Sequence, residues 1–105
     1  MIKVDIVRDN EGICEVKMYG HSGYEDSGRD IVCAAASTLM IHSINLLEEF
    51  GCNIEKIVDE NAPLMQIIIK SHDNASDKIL NALVKDLNDV SQGYKKFIKI
   101  IENRR

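Results

Sequence analysis

Alternating apolar and polar side chains open the sequence, and this pattern limits the possible folds more than any other feature. Residues 2–6 alternate apolar and charged, and the same two-residue period returns over residues 14–18. This period is typical of strands with one buried face. The Asp-Asn-Glu-Gly turn at residues 9–12 separates the two runs, so the pattern predicts a β-hairpin that ends near Tyr19.

A helical period replaces the alternation over residues 31–50. Polar side chains recur in this run every three or four positions, namely at Thr38, His42, Asn45 and Glu49, and most of the remaining residues are apolar. Asp30 is the expected N-cap, because a carboxylate accepts hydrogen bonds from the free amides of a first turn, and Gly51 is expected to end the helix. The apolar surface is wider than the ~100° stripe that covers one sheet face. The extra surface therefore packs under a second helix or against a second copy of the chain.

The second half repeats the order of two strands followed by a helix. The expected elements are strands over 54–58 and 64–69, a helix capped by Asn74 or Ser76 that ends at Gly93, and a last strand over 94–101. The order ββαββαβ predicts an α+β fold with two helices packed on one mixed, mostly antiparallel sheet. No linker or repeat divides the chain, so we expect a single domain over residues 1–105.

Charge and cysteine usage exclude several classes of protein. Thirteen Lys and Arg stand against 17 Asp and Glu, a net charge of −4. Nucleic-acid binding usually needs a basic excess, so we expect a basic partner and no direct nucleic-acid contact. The longest apolar run, 31–41, is about half of the ~20 residues that span a bilayer, and no signal segment opens the chain. We therefore expect a cytoplasmic protein without membrane contact, whose three cysteines are reduced thiols.

Reactive side chains and glycines converge between residues 20 and 37. With Asp30 as cap, Cys33 is expected at the third helical position, where free amides and the helix dipole favour the nucleophilic thiolate. His21 follows the second strand, and the intervening loop can bring it beside the sulfur as a general base. The amide of Cys33 and a glycine amide of the loop are candidate oxyanion donors. The residues alone leave the alternative of an inert, packed Cys33 and an ordinary loop His21 equally open.

The other candidate residues indicate structural roles. Cys14 is expected in the core, and Cys52 is expected to be packed or inert. His42 lies on the polar stripe and His72 in a polar turn, so both side chains are expected to be solvated. Asp59 is expected to be a charged turn residue. No spacing predicts a metal site or an organic cofactor.

A motif in this region resembles the signature of the bacterial Prp family, the ribosomal-processing cysteine proteases. It reads Gly20-His21-Ser22-Gly23, a short polar stretch, and then Gly28-x-Asp30-Ile31-Val32-Cys33-Ala34-x-x-Ser37. The length of the chain and the order of its elements are similar to the family as well.

The resemblance implies a cysteine endopeptidase that removes a short N-terminal extension from large-subunit ribosomal protein twenty-seven. It makes Cys33 the nucleophile and His21 its base, with no cofactor. It also implies a homodimer, and a basic precursor suits an acidic enzyme. We expect the glycine-containing loop over 20–29 to be mobile and to close over the peptide. Further residues match the motif, with supporting or substrate-binding roles that are less defined: Gly20, Ser22, Gly23, Gly28, Asp30 and Ser37.

Two other functions stay open at this point. A non-catalytic ribosome- or RNA-associated module would use the basic end of the chain, which contains Lys95, Lys96, Lys99, Arg104 and Arg105. The second is a thiol-based redox or metal sensor, which stoichiometric zinc in the purified protein would favour.

Overall fold

The computed structural model describes residues 1–20, 27–59, 61 and 63–105, with only the backbone for residues 27–30. Its elements follow the predicted order ββαββαβ. They are β1 (Ile2–Asp9), β2 (Gly12–Tyr19), α1 (Ser27–Glu49), β3 (Ile54–Asp59), β4 (Leu64–Ile69), α2 (Asn74–Gly93) and β5 (Ile98–Arg104).

The strands form one mixed sheet in the order β3-β4-β2-β1-β5. Only β1 and β5 pair in parallel, and the other three neighbouring pairs are antiparallel. Ile2, Val4 and Ile6 in β1 are buried in a core that also contains residues of both helices. The predicted α+β fold, with two helices on a mostly antiparallel sheet, is therefore confirmed.

Helix α1 packs on the sheet through apolar residues spaced by three or four positions, which are Val32, Ala36, Met40, Ile44 and Leu47. The predicted polar stripe is exposed throughout. By length and apolar composition alone, residues 31–49 are also compatible with a membrane-spanning helix, a longer stretch than the sequence pattern suggested. In this fold, however, the side chains on the buried side of the helix form part of the hydrophobic core.

Several predicted boundaries were wrong. Helix α1 begins at Ser27, so part of the expected 20–29 loop is helical. Helix α2 is capped by Asp73. The Asp73 carboxylate accepts a hydrogen bond from the Ser76 amide at 2.7 Å, and the Ser76 hydroxyl accepts one from the Asp73 amide. This reciprocal pair satisfies two backbone donors at once. Strand β5 begins at Ile98, because residues 94–97 form a turn.

Candidate active site

Cys33 lies beside a cavity at the edge of the core. It is half-buried, whereas Val32 next to it is fully buried against the sheet. Cys33 and Ser37, one helical turn apart, both line a cavity of about 220 Å³. The rest of the lining is mostly apolar and consists of Ile2, Met18, Tyr19, Gly20, Val58, Asp59, Pro63, Leu64 and Met65. Cys33 is therefore placed where a bound apolar group can reach it.

The sheet order explains how this cavity forms. Tyr19 at the end of β2 pairs with Leu64 at the start of β4, and Leu64 pairs in turn with Asp59 at the end of β3. The ends of three strands therefore meet at one edge of the sheet, near the first half of α1. Asp59, predicted to be a charged turn residue, instead ends β3 and lines the cavity. The alternation of side chains does not reveal which strands become neighbours, so this position could not be predicted.

The backbone requires glycine at position 20 of the motif. Its φ is +105°, and a Cβ at this position would lie 2.5 Å from the carbonyl oxygen of Met1. A side chain at this position would therefore strain the backbone of residue 20 and clash with the Met1 carbonyl. The next predicted site residues, His21, Ser22 and Gly23, lie outside the described residues.

The predicted role of Asp30 as helix cap is wrong. Because α1 begins at Ser27, Gly28 is its second residue, Asp30 its fourth and Cys33 its seventh. Only the first four amides of a helix lack an intrahelical acceptor, so the amide of Cys33 is not the free oxyanion donor that was expected. The helix dipole acts mainly within the first turn, so its effect at the seventh position is small.

The two other cysteines are in settings that disfavour the thiolate. Cys14 is buried, its thiol donates to the carbonyl of Val7 at 3.4 Å, and burial raises the pKa of that thiol. Burial also raises the pKa of the Cys52 thiol, with a further contribution from the Asp73 carboxylate at 3.7 Å. All three cysteines are free, and Cys33 is the one that lines the cavity. Cys14 lies in the core and Cys52 packs against it, as predicted.

His72 lies near the opposite end of β1 and is not the solvated residue that was expected. Its side chain is only 11% exposed. Nδ1 lies 3.0 Å from Asp77, Nε2 lies 2.9 Å from Asp9, and the Glu11 carboxylate is 3.8 Å from Nε2. The hydrogen bond to Asp9, followed by that to Asp77, raises the pKa of His72, and His72 in turn lowers the pKa of Asp9.

Within the described ranges, Asp9, Glu11 and His72 form the one group whose ligand atoms lie close enough together to hold a metal. Both ring nitrogens already contact carboxylates, which is the arrangement of a protonated imidazole. We interpret the cluster as an ion-pair network that joins the hairpin to α2.

Comparison with known proteins identifies the family. Residues 1–99 match the family model described as cysteine protease Prp. The chain belongs to the Prp family. A curated relative, the ribosomal processing cysteine protease Prp of Staphylococcus aureus strain Mu50, is 30% identical over 105 residues, which span 95% of this chain and 97% of the relative. The resemblance in the Gly20–Ser37 motif is thereby confirmed, and the catalytic reading is favoured over the binding module and the sensor.

Solved structures, two of them of Prp from S. aureus, share the fold closely. S. aureus Prp in complex with a substrate peptide superposes with a TM-score of 0.90 at 25% identity, over 98% of this chain and 100% of that one. S. aureus Prp with a covalently linked product peptide gives 0.87 at 27% identity, over 98% and 100%. SMU.848 of Streptococcus mutans gives 0.88 at 25% identity, over 100% and 96%. The chain is a cysteine-type peptidase.

Proposed function

We propose that this Prp protein removes the N-terminal extension of large-subunit ribosomal protein twenty-seven, with Cys33 as nucleophile and His21 as general base. The main supporting observation is the position of Cys33 on an open, mostly apolar cavity, while Cys14 is buried and Cys52 contacts a carboxylate. Of the three thiols, Cys33 is the one that lines this cavity.

The proposed reaction proceeds through a thioester. His21 takes the proton of Cys33, and the thiolate attacks the scissile carbonyl carbon to form an oxyanion. As this intermediate collapses, the carbon–nitrogen bond breaks and His21 gives its proton to the leaving amine. His21 then takes a proton from water, which attacks the thioester, and Cys33 leaves and regains a proton. No cofactor takes part in these steps.

The cavity lining supports a preference for a substrate with an apolar side chain near the scissile bond. Met18, Leu64 and Met65 exclude water from a side chain bound there, and burial of apolar surface contributes about 25 cal/mol per Å². Asp59 adds a carboxylate to the same lining. This negative charge favours a peptide that carries basic residues beside its apolar segment, as expected for a precursor of a ribosomal protein.

We further propose that the protein acts as a homodimer in the cytoplasm. Ile31 and Ile41 on α1 are 56% and 46% exposed, which supports a second copy as the cover of the wide apolar surface of this helix. The free state of all three cysteines supports a reducing compartment. Sedimentation analysis tests the dimer, and an Ile41→Glu substitution is expected to shift the distribution towards monomer. A wild-type protein that sediments as a monomer at all concentrations would refute it.

The test of the proposed activity is cleavage of the extended ribosomal-protein precursor, followed by mass spectrometry, with the mature protein as negative substrate. We expect Cys33→Ala to abolish cleavage and His21→Ala to reduce kcat by about 10²–10⁴-fold. Cys52→Ala is the matched control, because it removes a half-buried thiol outside the cavity, and it should keep wild-type activity. Cleavage by the Cys33→Ala protein would rule out the assignment.

A further inference from the structure

The open face of the sheet carries a concentration of lysines beside β5. Lys3 in β1 and Lys99 in β5 are register partners on neighbouring parallel strands. Their side chains project from the same face, and the two strands are about 4.8 Å apart. Lys17 in β2 is on this face as well, because its register partner Asp5 alternates with the buried positions of β1. Three cations therefore share one side of three adjacent strands.

The turn before β5 adds two more lysines to the same end of the sheet. Lys95 and Lys96 are exposed in this turn. The amide of Ile2 donates to the carbonyl of Phe97 at 2.9 Å, which holds the turn against the start of β1. We call the whole group the lysine corner and define it as Lys3, Lys17, Lys95, Lys96 and Lys99.

The lysine corner carries an excess of positive charge, since its five lysines are accompanied at this end of the face by one carboxylate of β1, Asp5, the register partner of Lys17. Elsewhere, Lys56 pairs with Glu48 at 2.9 Å and Lys70 pairs with Glu55 at 3.6 Å. Across the described part of the chain, none of the five corner lysines forms an ion pair. Asp5, on the same face, accepts a hydrogen bond from the Tyr19 hydroxyl. Like charges on paired strands destabilise a sheet, so an anionic partner would reduce the repulsion between these lysines.

The residue types at the corner favour phosphate over a protein surface as that partner. Protein–protein interfaces are depleted in lysine, whereas lysine is a common donor to the phosphates of nucleic acids. Two tyrosines accompany the lysines: Tyr94 is 38% exposed, and Tyr19 lies under the Lys17 ammonium, which is 5.2 Å from the ring centroid. Aromatic rings next to cations are typical of surfaces that bind single-stranded nucleic acid.

We propose that the lysine corner binds the phosphate backbone of RNA without sequence specificity. The net charge of −4 led to the opposite expectation, because composition averages over a surface on which the charges are segregated. The lysines of β1, β2 and β5 project from the face opposite the buried Ile2, Val4 and Ile6, so bound RNA would lie on the side of the sheet away from the helices. RNA binding at this face does not depend on the proposed protease activity.

The test measures binding of the Cys33→Ala protein to a short fluorescent single-stranded RNA of mixed sequence, by anisotropy over a range of salt concentrations. We expect a Kd of about 10⁻⁴–10⁻⁶ M, as for other non-specific complexes. Replacing Lys95, Lys96 and Lys99 together by Gln should weaken binding and lower the slope of log K against log salt by about 2, since each phosphate contact on a single strand contributes about 0.7. The same three positions changed to Arg should preserve both quantities.

The matched control changes Lys70, Lys78 and Lys85 to Gln, which alters the net charge equally on other surfaces. This control should bind RNA as the parent protein does. Absence of RNA binding at low salt, or equal losses in the two Gln variants, would overturn the proposal. Binding to polyglutamate or to anionic lipid vesicles as tight as that to RNA would overturn it as well. Because binding is measured in a protein without the Cys33 thiol, failure here is distinguishable from failure of the proposed protease activity.

Discussion

His72 couples the stability of this fold to pH. Its two ring nitrogens contact Asp77 and Asp9, and only a protonated imidazole donates from both. The bond to Asp9, and then that to Asp77, raises the pKa of His72 above its ordinary value of 6.5. The stabilisation is therefore fully present below that value and is lost as the pH rises through the raised pKa. The hydrogen bond from His72 is also the main cause that lowers the pKa of Asp9 below 3.8. The stability that the ionised Asp9 contributes is therefore lost as the pH falls through this lowered pKa.

The loss at alkaline pH follows from the geometry. A neutral imidazole donates from one nitrogen only, which leaves one of the two carboxylates without its donor. A hydrogen bond to a charged group contributes about 1.5–3 kcal/mol, but the Asp9 and Asp77 side chains are 32% and 37% exposed. We therefore expect deprotonation of His72 to cost about 1 kcal/mol. For a domain of this size that lowers the Tm by about 4–8 °C.

Thermal unfolding followed by circular dichroism, at about pH 5.5 and about pH 8.5, measures this effect on either side of the ordinary histidine pKa. The His72→Gln variant is the control, because it keeps a polar side chain but has no titrating group there. Its Tm should be lower at the acidic pH and should change less between the two conditions. An equal fall of Tm in both proteins, or a wild-type Tm that does not fall, would refute the role assigned to His72.

Three further perturbations test other parts of the structure. Gly20→Ala places a Cβ at positive φ against the Met1 carbonyl, so its free energy of unfolding should fall by more than about 1 kcal/mol in a denaturant titration; an unchanged value would contradict the backbone path at Gly20. Asp73→Ala removes the cap of α2 and should lower the free energy of unfolding by about 1 kcal/mol in the same assay. Asp73→Asn should retain most of the stability that the cap provides. Asp59→Asn should lower kcat/KM for a basic peptide about 2–10-fold at low salt, with the difference vanishing at high salt, and no loss at low salt would exclude Asp59 from substrate selection.

Most of the element order could be predicted because β1, β2 and both helices each carry a burial period. The alternation around β1 and the three-to-four spacing in α1 are local properties, and the core follows them. The start of α1 was missed because the segment from Ser27 to Asp30 contains Gly28 and no apolar side chain. Glycine is unfavourable in helices, so the pattern suggested a cap at Asp30 instead.

Features that depend on distant pairs could not be predicted. Nothing in the local sequence places β4 between β3 and β2, and this placement brings Asp59 to the cavity. His72 was misjudged for the same reason, since its partner Asp9 is 63 residues away. The side-by-side position of Lys3 and Lys99 likewise depends on the parallel pairing of the first and last strands.

Alkylation of the native protein by iodoacetamide at neutral pH, followed residue by residue by mass spectrometry, tests the central claim most directly. If Cys33 is the accessible thiol that His21 activates, it is modified much faster than Cys14 and Cys52, and His21→Ala slows its modification without affecting the other two. Modification of Cys33 no faster than that of Cys52, or at a rate that does not depend on His21, would contradict the claim.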